Sequence, residues 1–143
     1  MIQQSQSLLA GMNALARART RLLLVLSAIT FVLAQWYVVV ALLGIQITVP
    51  VSPGAAERED LLFRPVLFAS LIAGFGAWGL LEVLERLSPR GLRIWTGISI
   101  AVFVLTLPYM PGFSLGERLF LLVEHGGMFS IIVLGMRRTC LRA

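Results

Sequence analysis

The chain has 143 residues, 58% of them hydrophobic and only 13% charged, with a mean hydropathy of +0.89. A soluble domain usually carries about 25% charged residues and could not hide this much apolar surface at this length, so a membrane must take it up. The net charge of +5 comes from 12 arginines and no lysine; these gather at the ends of apolar runs, which points to orientation in a bilayer and not to nucleic acid.

In chain order, residues 1–20 form a cytoplasmic N-terminal segment in which Leu8, Leu9, Met12 and Leu15 could share one face of an amphipathic helix on the membrane surface. A frayed tail is the equal alternative. The first apolar span covers residues 21–49 (RLLLVLSAITFVLAQWYVVVALLGIQITV). Val32-Leu33-Ala34 loosely resembles a signal-peptide cleavage site, but the apolar run continues well past it, so a retained span is expected. A loop with Pro50, Pro53, Gly54 and the charged run Glu57-Arg58-Glu59-Asp60 follows.

The second span covers 64–86 and the third 92–110, joined by the tight LSPRG connection, where Ser88 suits an N-cap and Pro89 a first helical position. Pro108, Pro111 and Gly112 close the third span. Ser114-Leu115-Gly116-Glu117 has the pattern of a capping box opening the fourth span, 116–136. Residues 139–143 are a cytoplasmic tail. Each span needs roughly 20 apolar residues and must satisfy its backbone internally. The expected fold is therefore all-α: a four-transmembrane-helix bundle.

Nine arginines (Arg17, Arg19, Arg21, Arg86, Arg90, Arg93, Arg137, Arg138, Arg142) fall on one side of this map and three (Arg58, Arg64, Arg118) on the other. The positive-inside rule then puts both termini in the cytoplasm of a bacterial cell, with Trp95 in the inner aromatic belt and Tyr109 in the outer one.

Within the fourth span, LLVEHGGMFSII places Glu124 and His125 in apolar surroundings. Glu124 lies about 20 Å from Arg137 along a helix, well inside a hydrocarbon core about 30 Å thick. Ionisable groups at that depth usually face a bundle interior, a pathway or a partner. Gln35 and Thr106 reach a similar depth, so Gln35, Thr106, Glu124 and His125 are expected to form a polar layer. Adjacent helical residues point about 100° apart, so Glu124 and His125 cannot both face one contact squarely. A neutral glutamic acid bonded to Gln35 or to a backbone carbonyl is the structural alternative to a proton-carrying role.

Other features have structural readings. Ala69, Ala73, Gly74, Ala77, Gly126 and Gly127 allow close helix approach. Glu82 and Arg86 stand i,i+4 and could pair, with Glu85 and Arg93 in the same inner-interface cluster. Glu117 is first a capping residue. One histidine makes no conventional zinc or bis-histidine haem site, so no metal or cofactor is expected. One cysteine, Cys140, makes neither an internal disulfide nor a CxxC pair and reads as an unpaired cytoplasmic thiol.

The run GAWGLLEVLERLSPRGLRIWT, the proline-ended third span and the mid-membrane histidine resemble the small four-span membrane proteins of actinobacteria known only as a domain-of-unknown-function family. The likeness covers about residues 66–139 and rests on Trp78, Gly79, Leu84, Glu85, Arg86, Trp95, Thr96 and His125. An apolar or sulfur-containing residue is usual before the histidine in that family, so Glu124 departs from the pattern and His125 matches it. The resemblance implies a four-helix bundle and no known activity. The all-arginine basic set also suits a GC-rich actinobacterial genome.

No nucleophile–base–acid set is visible, so an enzyme is the weakest reading. The leading expectation is an accessory subunit that packs against membrane-protein partners. The alternative is a homo-oligomeric proton- or cation-coupled transporter or channel acting through Glu124 and His125. The small multidrug transporters keep their essential glutamate in the first span; Gln35 stands there instead, so they are not matched.

Overall fold

Four apolar helices account for most of the chain, because only a helix satisfies every backbone polar group within its own segment. The structure, a computed structural model, describes residues 2–52, 55–107 and 113–141, with backbone alone for 2–10 and 141. In order, it has α1 (Ile2–Trp36), a π-helical segment (Tyr37–Leu42), β1 (Thr48–Pro50), β2 (Arg58–Asp60), α2 (Phe63–Leu87), α3 (Gly91–Thr106) and α4 (Leu115–Leu141). Three helical stretches are long and apolar enough to cross a membrane; α3 is apolar but shorter.

The helices form a ring in which α1 packs on α2 and α4, and α3 packs on α2 and α4. Paired residues give the directions. Arg21, near the start of the packed part of α1, meets Glu85 near the end of α2, whereas Trp36 packs edge-on against Phe63 at the start of α2. Gln35 reaches Phe120 early in α4, and Arg21 reaches Thr139 late in it. Neighbouring helices therefore run antiparallel. One end of the bundle holds Arg21, Glu85 and Thr139; the other carries the two-stranded ribbon.

α1 is longer than expected. Its 35 residues span about 52 Å, and nearly all side chains from Gly11 to Thr20 are exposed. The first part thus projects from the bundle as an arm. The helix is unbroken from Ile2 to Trp36, so the arm continues the direction of α1. Met12 and Leu15 are exposed; the Leu8 and Leu9 side chains lie outside the described residues.

The first helix ends before the apolar run does. Helical backbone stops at Leu42, and Gly44 adopts a left-handed conformation with φ 65°, which glycine takes without steric cost. Thr48–Pro50 then pairs antiparallel with Arg58–Asp60, Thr48 opposite Asp60. Val49 therefore belongs to a strand.

The other boundaries follow local chemistry. The capping box at α4 is formed: the Glu117 N–H donates to Ser114 Oγ at 3.2 Å, and the Ser114 N–H donates to Glu117 Oε2 at 2.8 Å. Ser88 Oγ accepts from the Arg90 N–H, but α3 starts at Gly91, two residues past the expected Pro89. A Cβ at Gly91 would collide with the Leu84 carbonyl, so the turn closes against the end of α2. Pro53, Gly54, Pro108, Tyr109, Pro111 and Gly112 lie outside the described residues.

Apolar burial is not what joins helices inside lipid; close packing and hydrogen bonds are. The main packed cluster is Val25, Ala28, Ile29, Leu81, Trp95, Ile132, Val133 and Met136. Trp95 is fully buried, and its indole N–H donates to the Ala77 carbonyl at 2.8 Å. It is thus a core residue and not part of an interfacial belt. Glycines make the closest approaches: Gly74 faces Val25 and Ile29, Gly127 lies under the Phe31 ring, and Gly135 sits against Leu24.

Candidate functional site

Two polar constellations lie inside the bundle. The first is a clamp at the end where Arg21 sits. Arg21 is fully buried. Its guanidinium donates from Nη1 to Glu82 Oε1 at 2.7 Å and to Glu85 Oε2 at 2.8 Å, and from Nη2 to Glu85 Oε1 at 2.9 Å. Nε donates to Thr139 Oγ1 at 3.1 Å, and Nη2 also approaches Cys140 Sγ at 3.2 Å. The Trp78 indole N–H donates to Glu82 Oε1, and the Cys140 thiol donates to Glu85 Oε1 at 2.9 Å. One cation, two carboxylates, a hydroxyl, a thiol and an indole thus tie α1, α2 and α4 together.

This geometry revises the inner-interface cluster. Glu82 pairs with Arg21 and not with Arg86, because a fully buried guanidinium demands the carboxylates within its reach, while Arg86 and Arg93 are exposed. Arg21 and Cys140, which the sequence presents as a flanking charge and an unpaired thiol, are both central to the clamp. The available signal was Arg21 at the edge of a span with two acids, Glu82 and Glu85, at the matching level.

The second constellation is a cavity of about 490 Å³ between α2, α3 and α4, with Val32 of α1 in its wall. Ala69, Ala73, Gly76 and Ala77 of α2 line one side, and Val102, Phe103 and Thr106 of α3 another. Glu124, His125, Met128 and Phe129 of α4 complete it. Phe103 and Phe129 stack across the α3–α4 contact with ring centroids 4.6 Å apart. His125 Nδ1 lies 2.8 Å from the Leu121 carbonyl. A carbonyl only accepts, so Nδ1 carries the proton, and in the neutral ring Nε2 is left as an acceptor. Among the described residues no donor reaches the Glu124 carboxyl.

The expected polar layer is brought together only in part. Thr106, Glu124 and His125 line the cavity, but the Thr106 hydroxyl is spent on the Val102 and Phe103 carbonyls of its own helix. Gln35 stands apart: its Nε2 donates to the Phe120 carbonyl at 2.9 Å, and it lines a separate cavity with Glu117. Its Oε1 is buried and unpaired among the described residues. Of the small residues, Gly74 and Gly127 make close helix approaches. Ala69 and Ala73 are exposed along the cavity, and a Cβ at Gly126 would meet nothing within 4 Å. The buried face of α2 carries Val66, Ser70, Gly74 and Leu81 instead, and Gly74 is the position that meets α1.

A third cluster fastens the ribbon. Glu117 Oε1 accepts from the Thr48 hydroxyl at 2.6 Å, the Thr48 N–H at 3.1 Å and Arg58 Nη2 at 2.9 Å. The Arg58 guanidinium also lies 4.8 Å from the centre of the Phe113 ring. Glu117 is thus both cap and anchor.

A model of a family of unknown function, DUF6069, matches residues 13–142. The chain belongs to the DUF6069 family. This match takes in α1 from Asn13 onward and the whole of α2, α3 and α4, so the clamp and the cavity both lie within the DUF6069 region. No curated protein and no solved structure matches the chain.

Proposed function

We propose that this DUF6069 protein is a small multi-pass protein of a bacterial cytoplasmic membrane, with both termini on the cytoplasmic side, that works as an accessory subunit. An actinobacterial source fits the all-arginine basic set. The observation that carries the reading is the arm of α1. A single helix standing free of its bundle is marginal in water, and this one exposes Met12 and Leu15 beside Arg17 and Arg19. Such a surface gains stability when a partner covers it. Native mass spectrometry of the complex released from its own membrane tests this. A hetero-complex in full-length protein that is lost on deleting residues 2–16 supports the accessory role; a free protein, or a complex indifferent to the deletion, overturns it.

A second reading, a homo-oligomeric transporter or channel using Glu124 and His125, is favoured by one observation: both line one cavity, and no described donor pairs with the acid. Uptake of a cation into vesicles that survives both Glu124→Gln and His125→Gln would remove it.

A further inference from the structure

We propose that the cavity between α2, α3 and α4 is a binding site for a lipophilic organic cation. Its walls are mainly aliphatic and aromatic, which suits an apolar body. Among the described residues no arginine lines it, and its ionisable groups are Glu124 and His125. The Glu124 carboxyl has no described donor, and His125 Nε2 is an open acceptor in the neutral ring. Both polar groups therefore ask for positive charge or a hydrogen-bond donor.

The aromatic rings point the same way. Phe103 and Phe129 stack in the wall, and ring faces attract organic cations most strongly where water is excluded. An acid and two rings lining one apolar pocket discriminate by charge sign: a cation satisfies the carboxylate, whereas an anion of the same shape would meet it head-on. The volume of about 490 Å³ lies within the range of small-molecule sites, roughly 300–1,000 Å³. The exposed Ala69 and Ala73 leave the α2 wall shallow, so the ligand's apolar groups can lie against backbone. The site requires only the cavity; docking of the arm and movement of a ligand across the bilayer are separate properties.

Two ions of equal shape and opposite charge make the test. Purified protein in phosphatidylcholine nanodiscs is titrated with tetraphenylphosphonium and with tetraphenylborate, each measured against empty nanodiscs. The expected result is saturable one-to-one binding of the phosphonium above lipid partitioning and none of the borate. Glu124→Gln, which keeps shape but not charge, should weaken binding at least tenfold, and Ala73→Trp, which fills the cavity, should abolish it. Equal binding of the two ions, or phosphonium uptake no greater than that of empty nanodiscs, overturns the proposal on the unmodified protein alone. So does phosphonium binding that Glu124→Gln, in a folded variant, leaves unchanged.

Discussion

Arg21 of α1 and Glu85 of α2 meet fork to fork, with Nη1 donating to Oε2 at 2.8 Å and Nη2 to Oε1 at 2.9 Å. A planar guanidinium can make this parallel pair; an ammonium cannot. The same cation holds Glu82 and Thr139, so its removal would leave two neighbouring carboxylates without their counter-charge.

Arg21→Met should therefore lower the stability of the bundle by about 3 kcal/mol, the lower end for breaking a buried ion pair, since both carboxylates keep some contact with solvent. Arg21→Lys should recover only part of this. Thermal unfolding in detergent, followed by helical circular dichroism, measures both. An Arg21→Met variant as stable as the parent would show that the clamp contributes little.

The Cys140 thiol reports on the same contact. It is half-buried and bonded to Glu85, so maleimide labelling of the native protein should be slow. Arg21→Met should accelerate labelling several-fold at temperatures well below unfolding. Equal labelling rates in the two proteins would mean that Cys140 is not held by the clamp.

The adjacent glycines of α4 should behave differently. A Cβ at Gly127 would run into the Phe31 ring, whereas Gly126 has open space. Gly127→Ala should destabilise by about 1–3 kcal/mol through overpacking. Gly126→Ala should be neutral or stabilise by up to about 1 kcal/mol through helix propensity. Unfolding midpoints of the two single variants decide, and the reverse order would contradict the seat of Phe31.

Glu117→Gln keeps the shape of the side chain but weakens the cap and the tie to Thr48 and Arg58. Amide exchange should rise across residues 47–61, while α2 and the core of α4 stay protected. The local cost should be about 1–2 kcal/mol, as for a lost cap and a charge-assisted bond. Unchanged exchange in the ribbon would show that β1 and β2 hold themselves.

Hydropathy and length made the four apolar helices legible, and short-range chemistry made the Ser114–Glu117 cap legible, since both depend on residues close in sequence. The clamp was not. Arg21 stands far in sequence from Glu82 and Cys140, and an arginine at a span edge looks the same whether it snorkels outward or is drawn inward. Glu82 and Arg86 have ideal helical spacing, and that local pattern hid the longer-range partner. The ribbon was missed because Ile47, Thr48 and Val49 extend an apolar run without a break in hydropathy; Gly44 was the readable stop signal. For the cavity, sequence depth brought Thr106, Glu124 and His125 to one level, but it could not separate Gln35, whose direction depends on rotation about α1.

The continuity of α1 has a mechanical consequence. The helix is a lever whose fulcrum is Arg21, with about 28 Å of arm on one side and about 22 Å up to Trp36 on the other. A stiff rod carries a swing at one end to the other. Phe31, seated over Gly127, and Val32, in the wall of the cavity, both ride on the far limb. A partner that took hold of the arm would thus hold the same helix that supplies Val32 to the pocket wall.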